Sequence, residues 1–191
     1  MGTHRIDQAS TKRPQRKGLR SGVTNELSIF MEVIPGRAEA IREAAKAADR
    51  DPRRLDSFRK LGILTEARWV LFDNDTRMAF STVYEGEWDA YIEAFMPEVI
   101  PALDKILRGN IVGYPTKPID QIGVDEMKAW LHDHQVTGVG FIWVHGNYTL
   151  KDIWRAQRLA EAFEKVLDSP EGRKALMSNP ALKPLLEKAA A

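Results

Sequence analysis

The side chains best suited to proton transfer near neutral pH are the four histidines, His4, His132, His134 and His145. His145 ends the apolar run Val139-Gly140-Phe141-Ile142-Trp143-Val144 and lies just before a helix start, where backbone N–H groups favour anions. It is the candidate catalytic residue, as a general base or an axial ligand; a strand-end histidine bonded to its own loop is the plain alternative. His132 and His134 are two residues apart, which on a helix turns them to different faces and denies them a shared metal. Arg68 stands between Ala67 and Trp69 in a strand-like run, and burying it unpaired would be costly. It must therefore reach water, a carboxylate such as Glu32, or an anionic ligand. Arg68 and Glu32 are candidate ligand-binding residues, joined by Tyr84 and Tyr148, for which core or rim packing is the alternative. No metal site is expected, since the chain has no HExxH motif, Gly-rich phosphate loop or carboxylate–histidine cluster.

The elements that must position these residues follow from hydrophobic period. Glu26–Ile34 alternates as a strand, with Leu27, Ile29, Met31 and Val33 on one face and Ser28, Phe30 and Glu32 on the other; Pro35-Gly36 stops it. Arg37–Asp49 is rich in helix formers and places Ala38, Ile41, Ala44, Ala45 and Ala48 on a slim packing face. Asp51-Pro52 breaks that helix, and 55–62 reads as a connection or a brief helical turn. Glu66–Phe72 and Met78–Tyr84 are strands joined by the turn cluster Asp73-Asn74-Asp75-Thr76, which predicts an antiparallel hairpin.

After Gly86 the period becomes helical, and the apolar stripe from Trp88 to Leu107 is interrupted by Pro97 and Pro101, so a kink or break is expected near Phe95–Met96. Gly109-Asn110 ends that helix, and Ile111–Tyr114 reads as a short fourth strand. Past Pro118 the sequence predicts a helix over Val124–Gln135, a fifth strand over Val139–His145, and a helix opened by a Thr149/Asp152 capping box. Ser169-Pro170 and Asn179-Pro180 start further helices. Trp130, Trp143 and Trp154 suggest an aromatic patch, as core or as interface.

With the strand ending in Ile34-Pro35-Gly36, the Ala-rich helix at 37–49, the Asp73–Thr76 hairpin and the aromatic helix from Trp88, residues 24–115 resemble the ferredoxin-like superfamily, in its dimeric α+β barrel branch. The resemblance implies an α+β fold, a βαββαβ unit; residues 119–191, outside it, read from their own pattern as a mainly helical extension packed on the same domain and carrying the one extra strand. It also implies a homodimer whose sheets enclose a cavity. Some members are haem enzymes, some cofactor-independent monooxygenases, and some have no known activity. Haem is thus a possible cofactor, although residues 24–115 contain no histidine to ligate it.

The whole chain has 191 residues and a formal net charge of +1, but the charge is uneven. Residues 1–22 carry Arg5, Lys12, Arg13, Arg16, Lys17 and Arg20 against Asp7 alone, with little to bury, and read as a disordered tail suited to nucleic acid, an anionic membrane or an acidic partner. A solubilising or leader extension is the simpler account. Absence of cysteine excludes disulfides, thiolate nucleophiles and sulfur-ligated zinc. No apolar run is long enough to span a bilayer, and a cytoplasmic location follows by elimination. Two function classes emerge: a small-molecule-binding protein or enzyme using the barrel cavity, and a non-catalytic interaction or scaffold protein.

Overall fold

A computed structural model describes residues 18–53, 55–182 and 184–185. Two compact units divide the chain, one ending at Gly146 and the other beginning at Asn147. The basic stretch up to Lys17 lies outside the described residues.

The first unit is α+β. Its sheet comprises β1 (Arg20–Ser21), β2 (Thr24–Glu32), β3 (Leu64–Phe72) and β4 (Arg77–Glu85) in the order β1-β2-β4-β3, antiparallel throughout. Residues 20–21, assigned to the tail by composition, are therefore the short outer strand. The β3–β4 hairpin forms as expected, turning through left-handed backbone at Asp73, Asn74 and Asp75, which short Asx side chains tolerate. Its tip is tied down where Arg42 meets Asp75 at 2.6 Å.

Helices α1 (Ala38–Arg50), α2 (Asp56–Leu61), α3 (Trp88–Glu98), α4 (Ile100–Leu107) and α5 (Val124–His134) complete the unit. Ile41 is the buried anchor of α1, with Ala38, Ala44 and Ala45 packed around it, as the small-residue face required. The long aromatic helix breaks at Val99, a turn later than expected. Val99 N–H still donates to Phe95 O at 2.9 Å, but Pro101 has no N–H to continue the ladder, and the chain restarts as α4.

One continuous core joins Leu27, Ile29 and Met31 of β2 and Met78 and Phe80 of β4 to Ile92 and Phe95 of α3, Leu103 and Ile106 of α4, and Met127 and Leu131 of α5. Because α5 contributes to this core, the change of composition at Pro118 is no domain boundary. Tyr84 stacks on Tyr91 with ring centres 3.9 Å apart, and Tyr91 Oη donates to Thr82 Oγ1 at 3.0 Å, which lets a buried hydroxyl keep a partner.

Two expected strands are changed. The fourth shrinks to one bridge between Ile111 and Val33, with Val112 N–H donating to Glu32 O at 2.9 Å. The extra strand at 139–145 does not form. Its place beside β2 is already filled: Arg20 and Ser21 pair with Asn25 and Thr24, Gln135 bridges Ile29, and Val136 N–H donates to Ser28 O. Gly138 and Gly140 further weaken the run as a strand.

The second unit holds α6 (Leu150–Asp168) and α7 (Pro170–Ser178). The capping box is present: Asp152 N–H donates to Thr149 Oγ1 at 3.2 Å, and Thr149 N–H to Asp152 Oδ2 at 3.1 Å. Ser169 caps α7 with Pro170 in its first turn, and Asn179-Pro180 opens only a 3-10 turn. No helix among the described residues is long and apolar enough to cross a membrane.

Candidate functional site

Strand register decides which candidates share a surface, because neighbouring side chains along a strand alternate between faces. The helix-covered face of the sheet takes Leu27, Ile29 and Met31 with Tyr84, Thr82, Phe80 and Met78 opposite. The other face takes Ser28, Phe30 and Glu32 of β2, Ala79 and Ser81 of β4, and Arg68, Val70 and Phe72 of β3. None of these second-face residues belongs to the buried core, and Val70 there is 50% exposed.

A polar row crosses this open face. Arg68 stands opposite Ser81, and Ser81 opposite Ser28, in register. Arg68 Nε donates to Ser81 Oγ at 3.1 Å, and Ser28 Oγ donates to Glu26 Oε2 at 2.7 Å. Beside the row lie apolar groups: Val70, and Phe30 set edge-on to Phe72 at 6.0 Å between ring centres. Arg68 remains largely exposed, with Glu66 Oε1 at 3.8 Å as its nearest carboxylate. The arrangement can bind an anionic group at one end and an apolar body along the strands.

Glu32 shares the open face but does not answer Arg68. It sits opposite Arg77, four residues along β2 from Ser28, roughly 13 Å at the rise of a strand. Tyr84 belongs to the covered face, where it is 2% exposed and packs in the core, the packing alternative given for it. Burial pushes its phenol up to about 12, with Glu87 and Glu26 adding to the shift. The Tyr91 phenol is raised further by burial, against the opposing pull of its bond to Thr82. Burial and then Asp104 raise Tyr114. Tyr148 belongs to the second unit and is exposed.

His145 is exposed, its ring set edge-on to Trp143 at 4.9 Å. It does not end a strand but lies in the turn at residues 144–147. His132 stacks on Trp88 at 4.0 Å and His134 on Trp130 at 4.3 Å. Trp130 also meets Tyr114 edge-on and donates to Gly113 O at 2.9 Å, so it packs locally. Among the described residues no group of three or more His, Asp or Glu side chains could hold a metal.

Sequence reasoning missed Glu26, which it left inside a strand. Glu26 is buried on the open side of β2, and its Oε1 accepts from Gly138 N–H at 2.8 Å and Leu19 N–H at 3.3 Å. A carboxylate in the first positions of an apolar strand was the available signal.

No protein-family model, no curated protein and no solved structure matches this chain. The α+β architecture and the open-face row thus rest on the residues alone.

Proposed function

We propose that the first unit is a ferredoxin-like βαββαβ protein of the dimeric α+β barrel type, and that it binds a small carboxylate-bearing molecule with an apolar body. The observation that carries this reading is the Arg68–Ser81–Ser28 row on an uncovered sheet face flanked by Val70, Phe30 and Phe72. The strand order β2-β4-β3 and the Ile111 bridge at the far edge of β2 are consistent with the fold half of the reading. In a barrel of two such sheets, the row would line the cavity, and a guanidinium there would hold a carboxylate through charge-assisted hydrogen bonds.

The test is calorimetric titration of the purified chain with a panel of aromatic and medium-chain carboxylates. Saturable binding is expected, and Arg68→Gln should weaken it by about ten- to a hundredfold, the usual loss for a charge-assisted bond. Equal binding by wild type and variant would sink the assignment of Arg68. An absorption band near 400 nm appearing on haem addition would instead revive a haem role.

A non-catalytic interaction protein is the second reading. It is favoured by the exposed apolar side chains of Val139, Ile142 and Val144.

A further inference from the structure

The segment 139–144 is held at both ends and left bare in the middle. Gly138 N–H is fixed to Glu26, and Trp143 N–H donates to Ser21 Oγ at 2.9 Å. The approach is close: a Cβ at Gly138 would lie 2.9 Å from Glu26 Oε1, and one at Gly22 would lie 2.0 Å from Gly146 O. Phe141 and Trp143 are half-buried, whereas Val139 is 109% exposed, Ile142 83% and Val144 82%. Scattered exposed aliphatic residues need no explanation, but three within six residues on a tethered backbone form a patch.

That patch starts on the rim of the open sheet face, because Glu26 reaches Gly138 from that side of β2. The face presents three nine-residue strands, roughly 30 Å by 14 Å. Its projected area of roughly 400 Å² is about half of the ~800 Å² per partner that a stable interface buries. A six-residue segment lying along a partner with its exposed side adds roughly 20 Å of contact. Arg68 and Arg77 already have Glu66 and Asp73 beside them, so two such faces can meet without unbalanced like charges.

We infer that residues 139–144 form an arm that docks onto the open sheet face of a second copy of this chain, with Ile142 and Val144 as its anchors. The inference rests on the dimeric reading above and supplies the contact that the sheet face alone lacks. Each copy offers its arm and receives its partner's, as twofold symmetry requires.

The experiment uses the full chain, mixed as ¹⁴N and ¹⁵N protein, with Ile142→p-benzoylphenylalanine as photocrosslinker and sedimentation equilibrium as readout of mass. Cross-links between light and heavy chains at residues 66–83, with a dimer that Ile142→Asp weakens at least about tenfold, are the expected result. Ile142 is solvent-exposed, so the variant should keep the wild-type circular dichroism. A dimer abolished by Val70→Asp but untouched by Ile142→Asp, with cross-links confined to single chains, overturns the arm and spares the barrel. A wild-type chain that stays monomeric at tens of micromolar overturns both.

Discussion

A titrating side chain is built into the core of the first unit at Tyr84. Tyr84 stacks on Tyr91 inside the core, and its phenol is pushed up to about 12 by burial. The unfolded phenol ionises near 10, so below that pH both states are neutral and this group adds no pH dependence. Between about 10 and 12 the unfolded chain loses the proton while the folded chain keeps it, and stability falls as pH rises. Alkaline unfolding should follow, and Tyr84→Phe should move its midpoint to higher pH. Absorbance at 295 nm recorded against circular dichroism checks this: the phenolate of the buried tyrosines should appear together with loss of structure. A Tyr84→Phe midpoint equal to wild type would contradict it. Sequence alternation already placed Tyr84 with the last residues of its strand, but it could not say which face the helices would cover. Arg68 was legible as a residue needing water or a partner, because one exposed strand position suffices for that. Its true neighbours Ser81 and Ser28 come from register across three strands, which a linear reading does not contain.

Elements defined by local rules are where the sequence reads best. The Asp73–Thr76 hairpin, the Ala-rich α1 and the Thr149 capping box each depend on residues a few positions apart, and each forms. The strand expected at 139–145 depends instead on a vacant sheet edge. Its alternation is genuine, with Phe141 and Trp143 turned inward and Ile142 and Val144 outward, but competing segments occupy the edge. Glu26 organises that competition by accepting the N–H groups of Leu19 and Gly138 and the hydroxyl of Ser28. Glu26→Ala should cost about 1–3 kcal/mol in urea unfolding, because part-buried donors lose their acceptor. Glu26→Gln keeps an acceptor oxygen and should cost less. Amide exchange should quicken at Leu19 and Gly138 while the β3–β4 hairpin keeps its protection. Uniform acceleration across the sheet would mean that Glu26 supports the whole unit and not its edge.

At the scale of the molecule, the core residues all lie between Leu27 and Leu131, so the first unit has a closed hydrophobic interior of its own. The second unit begins at Asn147 and is built from α6 and α7, and Leu150 is its sole buried large hydrophobic among the described residues. Two helices with so little interior cannot offset their ordering entropy by burial, whereas the sheet and its five helices can. The two units should therefore differ sharply in cooperativity. A chain ending at Gly146 is expected to unfold in one urea transition with a midpoint close to that of the full chain, and a peptide of residues 147–191 should show weak, gradual melting of helix. Circular dichroism at 222 nm measures both. If truncation instead abolishes the sharp transition, the interior of the first unit is not self-sufficient.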